Sequence, residues 1–392
     1  MSKRIAPFKR ELEIVTTPNP IKGSSAAFLW GPRQTGKTTL LHQQFPKAVF
    51  YDLLDTSLSV YLKLKPNIIR QEILASKPEV VIIDEIQKVP ELLEEVHWLL
   101  ENTSTKFILC GSSARKLRRE ARNLLGGRAL EFYLFPLISK EIDKLDLNKA
   151  LNHGFIPVHY LVEKPSQMLK AYVNNYLKEE IIDESLTRNI PAFSRFLNIV
   201  GLTHGEQINY TNISRECGVS ASTVRNYYQI LKDTLLGFEL EPWRKQKKRR
   251  LVECSKFYLF DIGIANSLHP ELEAVSAGSS AFGKAFEHFL INEIRAYLSY
   301  KQLDYPLSYW RTSSGLEVDL IIGNMKLAVE FKATKEVFNA EIKGMKALKG
   351  EFNVERAIIV SRDTRDRKTK EGIELMCWEK FCDMLWAGKL LS

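Results

Sequence analysis

The chain has 392 residues, more than one ordinary core holds, so two or three domains are expected. With 45% hydrophobic and 26% charged residues it has the composition of a soluble globular protein, and its formal net charge of +9 permits an anionic partner without naming one. The five cysteines and seven histidines are scattered and form no C-x-x-C pair, which excludes a zinc site and a disulfide framework. The N-terminus carries no apolar leader and no run reaches membrane-spanning length, so a reducing cytoplasm, with no membrane contact, is the expected setting.

In chain order, the apolar run Ala26 to Trp30 leads into Gly31-Pro32-Arg33-Gln34-Thr35-Gly36-Lys37-Thr38, and Thr39 to Phe45 reads as the opening of a helix. This is a complete G-x-x-x-x-G-K-[ST] phosphate loop in the strand–turn–helix setting that it requires. Its glycines let successive N–H groups point at one phosphate cluster, and the helix N-terminus adds positive potential there. Lys37 is expected to reach the β/γ-phosphates and Thr38 to ligate Mg²⁺. Gly31 through Thr39 are therefore assigned to ATP binding.

Further short strands are expected at Ala48 to Asp52, Val80 to Asp84, Lys106 to Gly111 and Ala129 to Leu134, separated by helical patterns as in a parallel sheet. The third run, Val80-Val81-Ile82-Ile83-Asp84-Glu85, would put two carboxylates at the end of a central strand. Asp84 would hold the Mg²⁺ shell and Glu85 would orient the attacking water. The next strand ends in Cys110-Gly111-Ser112-Ser113, where a nucleotide-sensing serine competes with an ordinary helix N-cap. Of the arginines that follow, Arg128 stands in Gly126-Gly127-Arg128 directly before a strand and is a candidate arginine finger from an adjacent subunit.

These motifs, with Asp84-Glu85-Ile86-Gln87-Lys88-Val89-Pro90, resemble AAA+-type ATPases. More narrowly, they are similar to the prokaryotic, archaeal-type ATPase family with a C-terminal restriction-nuclease-like domain of unknown function. The resemblance continues at Phe257-Tyr258-Leu259-Phe260-Asp261-Ile262-Gly263, Gly283-Lys284-Ala285-Phe286-Glu287 and Glu317-Val318-Asp319, and so covers nearly the whole chain. It implies a helical lid over the nucleotide in the helical stretch after Pro136, and self-association, with a hexamer among the assemblies.

Asn212 to Leu231 reads as a helix-turn-helix, with Val219, Val224 and Leu231 inward and Ser222, Thr223, Arg225 and Asn226 outward. Contact with DNA phosphates and a purely structural winged helix both fit that pattern. The run Arg244-Lys245-Gln246-Lys247-Lys248-Arg249-Arg250 reads either as a wing that tracks a phosphate backbone or as a solvated hairpin.

Near the C-terminus, Leu316 to Ile322 and Met325 to Lys332 flank Gly323-Asn324, read as a two-residue hairpin turn. That register pairs Ile322 with Met325, Asp319 with Ala328 and Glu317 with Glu330, and gathers Glu317, Asp319, Glu330 and Lys332 on one face. A charged solvent face is one reading. The D-x₁₀-E-x-K spacing is similar to the metal-dependent PD-(D/E)XK nuclease motif, except that Val318 replaces its proline. On the preceding helix, Phe282, Phe286, Phe289, Leu290, Ile294, Tyr297 and Leu298 form an apolar arc that also contains Glu287 and Glu293, while Lys284, His288 and Arg295 lie on the polar side. Glu287 matches the helix glutamate of the nuclease-like fold, and Glu293 is left to a pairing with a local arginine.

The expected fold class is α/β: a P-loop AAA+ parallel sheet (residues 1–135), a helical lid (136–204), a winged helix-turn-helix (205–255) and a restriction-endonuclease-like α/β domain (256–392). The expected function is a DNA-directed ATPase with Mg²⁺-dependent endonuclease capacity, in which Glu287, Asp319 and Glu330 hold Mg²⁺ and Lys332 is catalytic. The alternative is an ATP-switched scaffold, binding DNA or protein, whose nuclease-like domain is catalytically silent.

Overall fold

The β-rich runs of the first third become five strands: β1 (Ser25–Trp30), β2 (Val49–Asp52), β3 (Val80–Asp84), β4 (Lys106–Gly111) and β5 (Ala129–Tyr133). All pair in parallel, in the order β2-β3-β4-β1-β5. The computed structural model describes residues 8–16, 24–112, 129–177, 189–244, 254–269, 274–338 and 340–391. The chain divides into two compact units, the first comprising Met1–Pro136 with Asp233–Leu235 and the second Leu137–Lys232 with Leu236–Ser392.

In the first unit, β1, β3 and β4 are almost wholly buried, as expected of central parallel strands covered on both faces. Helix Leu92–Asn102 presents Leu92, Leu93, Val96, Leu99 and Leu100 to that core. Because the strands are parallel, their carboxyl ends share one edge, and the phosphate loop, Asp84 and Ser112 emerge there together. Gly31 is required by packing: a Cβ would stand 2.6 Å from the Leu134 carbonyl oxygen. Residues 8–16 run beside helix Lys37–Gln44, with Leu12 and Ile14 buried and the Gln44 amide bridging them, accepting from Ile14 N at 3.1 Å and donating to Leu12 O at 2.5 Å.

Among the described residues, the second unit holds eight strands: β6 (Gly237–Pro242), β7 (Lys256–Leu259), β8 (Leu307–Arg311), β9 (Glu317–Ile322), β10 (Leu327–Lys332), β11 (Arg356–Ser361), β12 (Arg367–Lys368) and β13 (Glu374–Cys377). Their order is β12-β13-β11-β10-β9-β8-β6-β7. The lid, winged-helix and nuclease-like stretches expected at 136–204, 205–255 and 256–392 all fall within this unit apart from Pro136 and residues 233–235. Helix Tyr210–Cys217, a turn at Gly218 (φ +67°) and helix Ala221–Asp233 form the helix pair, and the Ser220 hydroxyl caps the second helix by accepting from Thr223 N. Val224 and Leu231 are buried, whereas Val219 is only half-buried.

Two expectations need correction. The hairpin register is displaced by two residues: Ile322 pairs with Leu327, Ile321 with Ala328 and Leu320 with Val329, leaving a four-residue connection from Gly323 to Lys326. Met325 is the reason. Its side chain is 4% exposed and belongs to the apolar core, its φ is +64°, and its carbonyl accepts from Glu355 N, so it leaves the ladder. An even displacement keeps every side chain on its expected face. The second correction concerns His288, which is fully buried and hydrogen-bonded to His204 (Nε2 to Nδ1, 3.1 Å) rather than facing water. Its helix, Ser280–Tyr300, buries residues on more than one side. Burial holds both imidazoles below their usual range, His204 at about 3.

The motif around Asp261 is structural. Its carboxylate caps helix Ile262–Leu268 by accepting from Ile264 N (3.1 Å) and takes a second bond from Phe155 N (2.7 Å), while burial pushes its pKa up to about 6. Gly263 lets that helix approach: a Cβ there would stand 2.3 Å from the His153 carbonyl oxygen.

Candidate functional site

The phosphate loop turns through left-handed backbone at Gln34 (φ +64°) and Gly36 (φ +94°) before helix Lys37–Gln44 begins. Lys37 is 6% exposed and folds back, its Nζ donating to Gly31 O (2.8 Å) and Pro32 O (3.1 Å). The Thr35 hydroxyl donates to Pro32 O, while Thr38 and Thr39 are exposed at the start of the helix. Thr38 Oγ1 donates to Asp84 Oδ2 at 2.6 Å, and Asp84 Oδ1 accepts from Glu85 N at 3.0 Å. Two hard oxygens from different elements thus meet beside the loop, which fits Mg²⁺.

Glu85 has φ +55°, a left-handed conformation costly for a side-chain-bearing residue. Its carboxylate Oε2 accepts from the Gln87 amide and from Ser112 Oγ at 3.4 Å, and the same Gln87 amide reaches Ser112 Oγ at 3.2 Å. Burial raises the Glu85 pKa against the pull of Lys37. Arg33 lies close enough for its charge to act on the same carboxylate. Ser113 and Arg128 lie outside the described residues.

Sequence reasoning gave no role of its own to Gln87, and it passed over Arg10. Arg10 donates to Thr35 O (2.5 Å) within the phosphate loop and to Phe135 O (2.7 Å) and Pro136 O (3.2 Å) beyond β5. Partners 25 and 125 residues away leave no local signal.

A second constellation is built on β7, β9, β10 and helix Ser280–Tyr300. Lys332 pairs with Glu330 at 2.8 Å, and Asp319 Oδ2 accepts from Phe331 N at 2.8 Å. Loss of water and then the Glu287 charge raise the Asp319 pKa to about 8, with Lys256, Glu330 and Lys332 also acting on it. Glu287, Asp319, Glu330 and Lys332 therefore share one neighbourhood. Glu287 is engaged with the protein itself: its Oε1 accepts from Tyr258 OH (2.5 Å) and faces Lys256 Nζ (3.4 Å). Lys256 also binds Glu317 (2.5 Å), which Arg311 holds from the other side at 3.0 Å. Among the described residues, no group of three or more His, Cys, Asp or Glu side chains is set to share a metal ion. As arranged, Glu287, Asp319 and Glu330 do not fit a resident Mg²⁺.

Among the described residues, Glu293 pairs with serine and tryptophan donors rather than with an arginine. It accepts from Ser139 N (2.6 Å), Ser139 Oγ (2.8 Å) and Trp386 Nε1 (2.8 Å), while Arg295 lies over the Phe238 ring. On the helix pair, Ser222, Arg225 and Asn226 are exposed and Thr223 is half-buried; the Arg225 guanidinium covers the Tyr210 ring at 4.7 Å. Of the basic run, only Arg244 is described.

Residues 24–143 match the family model of an AAA domain. That match spans all five strands of the parallel sheet of the first unit. Residues 144–274 and 282–381 match two domains of unknown function (DUF8612 and DUF4143). An uncharacterized protein of Mycobacterium bovis is 23% identical over 303 residues, covering 75% of this chain and 66% of its own length. One from Methanocaldococcus jannaschii is 25% identical over 300 residues, covering 67% and 65%. The chain thus spans just under two thirds of the length of these relatives. The Aeropyrum pernix ORC1 protein, solved in complex with DNA, aligns with 62% of this chain and 86% of its own at 12% identity and TM-score 0.29, a likeness that carries no argument. Among the described residues, no helix is long and apolar enough to cross a membrane.

Proposed function

We propose that this chain is an ATP-hydrolysing, DNA-directed AAA protein whose C-terminal domain follows the nuclease-like layout but does not cut DNA. The observation that carries the ATPase part is the junction of Thr38, Asp84 and Glu85 beside the phosphate loop. Loop N–H groups and Lys37 would bind the phosphates, Lys37 exchanging its carbonyl partners for phosphate oxygens. Thr38 and Asp84 would hold Mg²⁺, which neutralises phosphate charge when bound. Glu85, held by Gln87 and Ser112, would take the proton of the attacking water, and its raised pKa brings it nearer the working pH of a general base. Phosphate release with and without duplex DNA tests this reading, and a protein that binds ATP but releases no phosphate under either condition overturns it.

The DNA-directed part rests on the exposed Ser222, Arg225 and Asn226 of the capped helix and on the basic run from Arg244. Neutralising Arg225 together with several of those charges is expected to weaken duplex binding and flatten its salt dependence by roughly 0.9 in slope per lost phosphate contact. An unchanged slope, measured by fluorescence anisotropy across a salt series, would assign the helix pair to packing alone.

Self-association, including a hexamer, rests on Arg128 acting in a neighbour's site. Trans arginine fingers contribute about 10³–10⁵ in rate. Mixing Arg128→Ala with Lys37→Ala protein should therefore restore part of the activity that each lacks alone. A monomer with full activity removes this element.

Cutting is left out of the proposal because Glu287, Glu317 and Glu330 of the C-terminal cluster are each paired with a lysine of the same chain. A wild-type protein that nicks DNA with Mg²⁺, and stops doing so as Lys332→Ala, would restore the endonuclease reading.

A further inference from the structure

We infer that Lys256 is the built-in cation of the C-terminal cluster, its ammonium standing where a divalent ion would bridge Glu287 to β9, and that removing this charge turns the cluster into a divalent-cation site. The inference rests on the non-cutting reading above and assigns it a residue. Four carboxylates, Glu287, Glu317, Asp319 and Glu330, meet in one neighbourhood. Lys332 is committed to Glu330, and Arg311 pairs with Glu317. Among the described residues, Lys256 serves the helix and the strand together, contacting Glu287 at 3.4 Å and Glu317 at 2.5 Å. It is 5% exposed, and its stem starts from β7, so it cannot leave the cluster as a surface lysine can. Burial alone would lower its pKa, yet Glu287, Asp319 and Glu317 hold it above the ordinary value, so it stays charged.

A divalent ion bound by carboxylates needs oxygens converging at about 2.0–2.6 Å, a space that an ammonium hydrogen-bonded to two of them denies. The ligands themselves remain. Glu330 Oε2 is buried with no hydrogen-bond partner among the described residues, on a side chain only 6% exposed. Lys332 pairs with the other oxygen, Oε1, so Oε2 is an acceptor still open to a ligand. Taking away one partner of a buried ion pair leaves an uncompensated charge that must be protonated or matched by another cation. Without Lys256, Glu287 and Glu317 would be left in that state.

The test uses the full chain without nucleotide. Thermal unfolding of wild type, Lys256→Ala and Lys256→Gln is followed across a Mn²⁺ titration, the glutamine retaining a donor for Glu317 in case the alanine variant does not fold. Wild type is expected to show no response beyond that of a Glu287→Gln control. The Lys256 variants are expected to melt lower and to recover by roughly 5–10 °C at Mn²⁺ about 100-fold above its dissociation constant. Adding Glu287→Gln to either variant should erase that recovery. A flat Mn²⁺ response in every folded Lys256 variant, or an equal response in wild type, overturns the inference. Mg²⁺-dependent DNA cleavage by wild type, run alongside, overturns the non-cutting reading beneath it, so the two failures are distinguishable.

Discussion

Lys37→Ala is expected to weaken nucleotide binding severely, and Glu85→Gln to preserve binding while slowing turnover by orders of magnitude. Lys37 is buried within the loop and, among the described residues, its ammonium donates to the carbonyls of Gly31 and Pro32, so its charge is poised for an anion. Losing a buried charge partner of a phosphate costs about 2–5 kcal/mol, a reduction in affinity of roughly 30- to 4,000-fold. Glu85 touches neither the loop carbonyls nor Thr38; it sits among Gln87 and Ser112 at the ends of β3 and β4. Removing a general base lowers rate by about 10²–10⁴ while leaving ground-state contacts in place. Titration with a fluorescent ATP analogue and steady-state phosphate release separate the two effects. Normal turnover in Glu85→Gln would remove that residue from the mechanism.

The second large effect is expected at Glu293. Glu293→Ala strips the acceptor from three donors, Ser139 N, Ser139 Oγ and Trp386 Nε1, and leaves a cavity. A loss of about 3–5 kcal/mol follows from orphaned donors and the void together. The acid also sets a pH dependence. Burial raises its pKa from 4.5 to about 7 despite those donors. Between these values the folded protein keeps a proton that the unfolded chain releases, so the Glu293 contribution is full below about pH 4.5, falls as pH rises to about 7 and is flat above. Glu293→Gln cannot titrate, and subtracting its urea-unfolding curve from that of wild type across this window should isolate the slope. Parallel curves would mean that Glu293 is ionised in the fold throughout.

Legibility in the sequence followed range of interaction. Val80 to Asp84 could be read because four β-branched residues between polar flanks have one comfortable arrangement, and β3 has the bounds that this implies. Glu287 could be read from its own helix: a carboxylate inside an apolar arc has to meet something. What it meets was invisible, since Lys256 opens a strand 31 residues earlier. The hairpin was misjudged by two residues because Gly323-Asn324 is a strong local turn signal, and the pull on Met325 comes from a core assembled by distant elements. Glu293 failed as a local guess for the same reason, its partner Ser139 lying 154 residues away.

The place of β6 in the sheet bears on how this chain can be taken apart. It follows directly on the helix pair, runs antiparallel to β7 through Gly237 to Leu240, and then joins β8 in parallel at Glu241 and Pro242, with Trp243 N donating to Tyr309 O. The family segments 144–274 and 282–381 cut this one sheet between β7 and β8. Neither segment closes its own edge. A fragment beginning at residue 282 would present β8 as an open template for strand addition, and one ending at 274 would leave β6 half paired. Recombination or protein engineering that separates the two stretches is expected to yield sticky, oligomerising pieces.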